Sequence, residues 1–335
     1  MVKSKIVIVG GSFGGINTAY ALRRALHQSV EVTVISRDPE FTFTPSLPWL
    51  IMGWRQPDQI QVPLAEPLIR RGIRFVHGEV VELDGPKGEV RTAQERFPYD
   101  YLVIATGAEL DYAAIPGLGP ACGFTHSAFT RNEAVGARDA LAEVLNEKGG
   151  RIILGAAPGA SCIGPAYEIL LMIDTVLRKA RRRHRFKLTY VTPEPFLGHF
   201  GIGGIGSSPR LIQDEFAERD IEAFVNSAIS DIRPHEMTLA NGMIFPFDFA
   251  LIIPAFLGAP FVRAIDGLAN AKGFITVTPN LRSTKFANVY AIGVALAIPP
   301  VAATPVPVGV PKTGHLTELM AQAAAHNLAV ELRGG

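Results

Sequence analysis

Residues 6–9, Ile-Val-Ile-Val, run directly into Gly-Gly-Ser-Phe-Gly-Gly at positions 10–15, and a helical apolar pattern follows from Ile16 to Leu26. A second β-branched run, Val-Glu-Val-Thr-Val-Ile at 30–35, comes next. Strand, glycine turn, helix and strand in this order make a βαβ unit, which commits the N-terminal part of the chain to a parallel sheet. Such a turn brings backbone amides close to a pyrophosphate, and the helix N-terminus behind it favours negative charge. Gly10, Gly14 and Gly15 supply the close approach around Phe13, and Ser12 takes the second glycine place, being small enough to do so. At the end of the second strand Ser36 stands where an acidic residue would hold ribose hydroxyls, followed by Arg37; a serine offers a weaker bond of the same kind.

Two later segments extend the pattern. Residues 99–107 read Tyr-Asp-Tyr-Leu-Val-Ile-Ala-Thr-Gly, a buried strand leaving the first sheet through Ala105, Thr106 and Gly107. Residues 286–293, Phe-Ala-Asn-Val-Tyr-Ala-Ile-Gly, form a strand that returns to the same place at Gly293, with Val294 where an aspartate is usual. Three such motifs in this order are the mark of an FAD-binding domain interrupted by an insertion. The expected fold is α/β, with two Rossmann-like βαβ dinucleotide-binding domains in a glutathione-reductase-like FAD/NAD(P)-binding arrangement. Residues 1–112 and 268–335 make the discontinuous FAD domain, and 113–267 the second domain, with strands at 151–154, 187–191 and 247–253 and a helix over 165–179.

The second domain has its own strand, turn and helix, but the turn is altered. Gly155 keeps the first glycine place, Ala157 and Ala160 take the others, and Pro158 removes an amide donor. A tight nicotinamide dinucleotide site is therefore not expected there. The turn carries Cys162 near the helix start, where a dipole lowers a thiol's pKa and favours a nucleophile, although a small buried cysteine also simply packs. No second cysteine is close in sequence; Cys122, in a glycine-rich linker, is the one other cysteine. His199 sits in a glycine-rich loop, either as a proton carrier or as a structural histidine. Lys312 and Thr313 open a final helix over 313–332, whose N-terminus suits the anionic reduced flavin ring. Residues 178–187 hold seven Lys and Arg, read as an exposed helix end or as a contact with an anionic membrane surface.

Composition narrows the classes further. A net charge of +1, with 19% charged and 48% apolar residues over 335 positions, gives a large core and no electrostatic case for nucleic acid. Two cysteines indicate a reducing compartment, hence a cytoplasmic placement, peripheral to a membrane at most. The uncharged run 289–311 is proline-rich after Ile298 and is not a spanning helix. No metal site is expected.

The segments Phe-Thr-Phe-Thr-Pro-Ser-Leu-Pro-Trp at 41–49 with Gly53 and Trp54, Gly-Ala-Ser-Cys-Ile-Gly-Pro-Ala-Tyr-Glu at 159–168, Gly-His-Phe-Gly-Ile-Gly at 198–203, and the proline-rich stretch from Ile298 to Gly314 resemble sulfide:quinone oxidoreductases over essentially the whole chain. In that family FAD takes two electrons from sulfide through redox cysteines and passes them to quinone. The resemblance implies catalytic roles for Cys162 and His199, flavin contacts from Lys312, Pro45 and Val80 beside the motif residues above, a small sulfur substrate and a quinone partner. The family pattern continues beyond the length of this chain, and Phe129 stands where a further family cysteine is expected, so quinone-linked turnover by Cys162 alone is not expected to be complete. Two other readings stand beside it: an NAD(P)H-dependent flavin or quinone reductase, and a non-catalytic FAD-binding partner subunit.

Overall fold

The computed structural model describes residues 3–121 and 123–334. Its first sheet is built on β1 (Ser4–Val9), followed by helix α1 (Phe13–Leu26), β2 (Val30–Ser36), β3 (Arg74–His77) and β4 (Tyr101–Ile104). The side chains of Ile6, Val7, Ile8 and Val9 are all 4% exposed or less, so β1 is covered on both faces, as a central parallel strand must be. Then come α2 (Arg131–Asn146), β5 (Gly150–Ala156), α3 (Gly164–Lys179), β6 (Phe186–Val191), α4 (Ser208–Glu218), β7 (Glu222–Phe224) and β8 (Phe249–Ile253). The chain returns through β9 (Val289–Ala291) and ends in α5 (Gly314–Leu332).

The first sheet has the order β9-β4-β1-β2-β3 with every pairing parallel. Strand β1 pairs with β2 on one side and β4 on the other, which makes its carboxyl end the point where the winding reverses and a crevice opens. The glycine turn, residues 105–107 and Gly293 all follow strands that end at this edge. Helices α1 and α5 pack together under the sheet, with Ala19 and Leu22 meeting a run of small residues, Ala321, Ala324 and Ala325, in one buried cluster. Alanines on the last helix let the two axes approach closely.

The second sheet has the order β7-β6-β5-β8, again all parallel. Strands β5 and β6 are neighbours, and the turn bearing Cys162 follows β5 while the loop bearing His199 follows β6. Both residues therefore hang from the carboxyl ends of adjacent strands, where α/β sheets carry their sites. The short strands Glu109–Asp111 and Ala255–Leu257 pair antiparallel as the chain passes between the two sheets. Among the described residues no helix is long and apolar enough to cross a membrane.

The basic run at 178–187 forms an exposed helix end that also has a structural role. The carboxylate of Asp174 is fully buried and binds three guanidinium groups, Arg178 at 2.8 Å, Arg183 at 2.7 Å and Arg219 at 2.8 Å. Arg183 also donates to the carbonyls of Phe186, Arg219 and Asp220, Arg182 donates to those of Leu145 and Glu147, and Lys187 pairs with Glu222. Much of the run thus splices the ends of α2, α3 and α4 together, because a buried carboxylate needs several donors to offset its lost hydration. Arg178, Lys179, Arg181, Arg185 and Lys187 remain exposed, as the helix-end reading expects. Replacing Asp174 by alanine should lower stability to urea by about 3 to 5 kcal/mol, since it leaves the guanidinium groups facing a buried void; a loss below about 1 kcal/mol would show that the cluster is incidental.

Candidate functional site

Around the first glycine turn the backbone is packed to contact. A Cβ on Gly10, whose φ is +119°, would lie 2.2 Å from the carbonyl oxygen of Ala105, and one on Gly15 would lie 1.8 Å from that of Gly10. These are the constraints a dinucleotide turn imposes: a tight bend first, and helix against strand last. A Cβ on Gly11 would meet Ser36 Oγ at 2.6 Å, so the serine at the end of β2 lies directly against the turn. Gly14 faces Ile292, Thr317 and Ala105, and a Cβ on Gly293 would lie 2.8 Å from the Thr317 side chain. The three flavin motifs and the last helix thus meet at one edge.

Several features of that edge fit a dinucleotide. Ser12 is the N-cap of α1 but its side chain makes no capping bond, which leaves first-turn amides without a side-chain partner. The Thr106 hydroxyl oxygen is buried with no hydrogen-bond partner, and nothing lies within 4 Å of a Cβ placed on Gly107. An orphaned buried hydroxyl beside open space is a group waiting for a partner. Phe13 packs edge-on against Phe41 at 5.1 Å and beside Phe43 at 5.9 Å, which ties the segment at 41–45 to the turn. Pro45 is exposed in the short turn Thr44–Ser46, Arg37 is exposed and within 3.8 Å of Glu79, and Val80 is buried in a cluster with Val9 and Ile35.

Lys312 does not stand free. Its ammonium donates to the carbonyls of Val294 at 3.1 Å and Leu296 at 2.7 Å and lies 3.6 Å from the centre of the Phe274 ring. Burial pulls its pKa down to about 8. The lysine expected to add a charge at the flavin is bound to the backbone beyond Gly293, and Thr313 caps α5 by accepting the amide of Leu316.

The second turn is closed from the other end of the chain. The amide of Gly159 donates to the Pro307 carbonyl at 2.6 Å, that of Ala160 to Ala157 at 3.1 Å, and that of Ala157 to Ile253 at 2.9 Å. The amide of Gly309 donates back to the Ala160 carbonyl at 2.9 Å. A Cβ on Gly309 would lie 2.7 Å from that of Ser161, so the proline-rich segment lies flush on the turn. Three amides of the turn, those of Ala157, Gly159 and Ala160, are thus taken by the protein's own carbonyls.

Cys162 lies within this turn, two residues before α3 and partly exposed. Its pKa runs opposite to the sequence expectation: burial pushes the thiol up to about 11 by desolvating the thiolate. Cys122 lies outside the described residues. Phe129, in the place of a further family cysteine, packs edge-on against Phe256 at 5.1 Å.

His199 is 7% exposed, and burial lowers its pKa, which favours the neutral ring. Its Nδ1 accepts the amide of Gly201 at 3.1 Å, which leaves the ring proton on Nε2. The loop is held to the Cys162 turn and its helix by contacts that sequence reasoning missed. The Tyr167 hydroxyl, on α3, donates to Glu194 Oε2 at 2.6 Å and accepts the amide of Gly198 at 3.1 Å, while Glu194 Oε1 accepts the amide of Phe200 at 2.8 Å. A Cβ on Gly201 would meet the Gly309 carbonyl oxygen at 2.1 Å, so the same proline-rich segment touches both the cysteine turn and the histidine loop. Glu194 had one sequence signal, a lone acidic residue between an apolar strand and a glycine-rich loop. Among the described residues no cluster of His, Cys, Asp and Glu is arranged to hold a metal ion.

The family model for pyridine nucleotide-disulphide oxidoreductases matches residues 4–158. The sulfide-quinone reductase of Aquifex aeolicus is 41% identical over 335 residues, spanning 98% of this chain and 76% of that protein. The X-ray structure of the sulfide:quinone oxidoreductase from the same hyperthermophilic bacterium superposes with a TM-score of 0.94 at 40% identity, covering 99% of this chain and 77% of that one. The mitochondrial sulfide:quinone oxidoreductase of Mus musculus is 22% identical over 88% of this chain and 66% of its own length. A doubly wound first sheet with a dinucleotide turn, a closed second turn bearing a cysteine, and this likeness over nearly the whole length place the chain in the sulfide:quinone oxidoreductase family.

Proposed function

We propose that this oxidoreductase uses FAD to oxidise sulfide, or a related small sulfur reductant, by two electrons at Cys162. The observation that carries the reading is the closed second turn. With the amide of Gly159 bound to the Pro307 carbonyl, the place where a nicotinamide dinucleotide would dock its pyrophosphate is taken, and the thiol beside it is left for a much smaller donor. The NAD(P)H-dependent reading loses its binding site on this argument, and the reading as a passive flavin carrier leaves the cysteine turn without a use.

In this reading Gly10, Ser12, Gly14, Gly15 and the first amides of α1 hold the pyrophosphate, and Ser36 bonds the ribose, with Arg37 and Val80 nearby. Thr106, Gly107, Pro45, Gly293 and Val294 border the rest of the cofactor, and Lys312 fixes the backbone of residues 294–296. When bound, FAD supplies two-electron acceptance, and a quinone is the acceptor that the relatives' names give. Cys162 holds the substrate sulfur. At neutral pH its raised pKa keeps the thiol protonated until the reaction itself draws the proton away. His199, neutral and with its proton on Nε2, is a hydrogen-bond donor to charge developing on sulfur, rather than a base waiting to accept one.

Under anaerobic conditions sulfide should bleach the flavin of the purified yellow protein, while NADH and NADPH at micromolar concentration should not; bleaching by NADH would overturn the assignment. Cys162→Ser should keep the flavin and lose the sulfide response, and an unchanged response would make the cysteine structural. Alkylation of Cys162 by iodoacetamide, followed by peptide mapping, should be slow at pH 7 and keep accelerating with pH beyond the ordinary thiol value of 9.0. A rate that levels off below pH 8 would contradict the burial argument.

A further inference from the structure

The carboxylate of Glu194 is fully buried, carries no salt bridge among the described residues, and is not needed for the cofactor or for the sulfur chemistry above. Both of its oxygens nevertheless have partners. Oε2 takes the hydroxyls of Tyr167 at 2.6 Å and Thr192 at 2.8 Å, Oε1 takes the amide of Phe200 at 2.8 Å, and its own carbonyl takes the amide of Asn226 at 2.8 Å. A buried charge or carboxyl is retained at such a cost only where its bonds hold something in place.

The held element is specific. The peptides on both sides of His199 end on the same carboxylate and phenol pair: Phe200 donates to Glu194 directly, and Gly198 donates to the Tyr167 oxygen that itself donates to Glu194. Tyr167 is five residues beyond Cys162, on the helix that the cysteine turn leads into. Phe200 sits at a φ of +52°, a conformation uncommon for a residue with a side chain, and its amide is the one that Glu194 accepts. The next amide, that of Gly201 at φ +77°, points at His199 Nδ1 and thereby fixes the ring proton on Nε2.

We propose that Glu194 is a positioning residue, which acts through Phe200 and Tyr167 to hold the His199 loop against the Cys162 helix and to keep the His199 proton on Nε2. It touches neither substrate nor cofactor. The inference rests on the reading of His199 as the donor to the reacting sulfur, but its geometric part concerns this chain alone. Glu194→Gln keeps the volume of the side chain while replacing one acceptor oxygen by a donor; with the remaining oxygen on the Tyr167 and Thr192 hydroxyls, the new NH2 opposes the Phe200 amide, which can only donate. Tyr167→Phe keeps the ring and removes only the oxygen linking Gly198 to Glu194.

The test uses the flavin-loaded full chain and two readouts. The first is the nitrogen NMR spectrum of the histidine imidazoles, with His199 assigned through His199→Asn. The proposal expects a single Nε2–H form of His199 in the wild type and mixed or exchanging tautomers in both variants, with flavin content retained. The second is stopped-flow reduction of the flavin by sulfide. There Glu194→Gln should lower the limiting rate about tenfold or more and leave the half-saturating sulfide concentration unchanged. Combining it with His199→Ala should cost nothing beyond His199→Ala alone, the signature of residues acting as one unit. An unchanged His199 spectrum in both variants, or fully additive rate losses, would overturn the proposal. Should Glu194→Gln fail to fold, Tyr167→Phe decides by the same criteria. Should sulfide fail to reduce the wild-type flavin, the sulfide reading falls and the imidazole spectrum alone decides the role of Glu194.

Discussion

Two backbone hydrogen bonds, from Gly159 to the Pro307 carbonyl and from Gly309 to the Ala160 carbonyl, close the turn that carries Cys162. They join positions far apart in the chain, and neither depends on a side chain, so the fit rests on the glycines at both ends. The proline-rich segment at 304–311 cannot form a helix, and its fixed φ values pre-set it to lie extended along the turn. Once there it packs on the second turn, covers Ser161 and reaches Gly201 in the histidine loop. The same extended run then leads through Lys312 into α5, whose start faces the first glycine turn across Phe13. One strip of backbone thus couples the flavin edge, the cysteine and the histidine.

Burial biases the titratable groups around this strip in one direction. The Cys162 thiol and the Glu194 carboxyl are both raised, His199 is lowered, and Lys312 is lowered to about 8, in each case chiefly by desolvation. Desolvation penalises whichever form is charged, so an acid rises and a base falls. The groups most exposed to this effect are met by neutral dipoles: Glu194 by hydroxyls and amides, Lys312 by carbonyls and an aromatic face. In the proposed function these surroundings favour weakly charged partners over a polyanion such as a nicotinamide dinucleotide.

Much of the fold was legible because its signals are local. The glycine turn at 10–15, the Ala-Thr-Gly after β4 and the Ala-Ile-Gly at β9 each declare a strand and the turn at its carboxyl end, and each lies at the crevice the pattern implies. Cys162 and His199 were visible as residues out of place in glycine-rich turns. The features that stayed hidden are set by partners distant in sequence. The thiol's pKa depends on how deeply the turn is covered, which the position of a helix start does not reveal. The basic run at 178–187 is the exposed helix end it reads as, but nothing within it reveals that Asp174, buried on α3, binds two of its arginines. Glu194 looks like any acidic residue in a loop until Tyr167 and Phe200 are seen to converge on it.

If the chain's own proline-rich segment occupies the second nucleotide turn, the amides of both partners are sequestered from solvent. Amide hydrogen–deuterium exchange, resolved over residues 155–162 and 305–311 in the flavin-loaded protein, reads this out. Both stretches should be strongly protected, with the Gly159 and Gly309 amides among the slowest, and millimolar NADH should change neither. Rapid exchange across 155–162 that NADH slows would mean that the turn is open and still binds a dinucleotide, contradicting the closed-turn assignment.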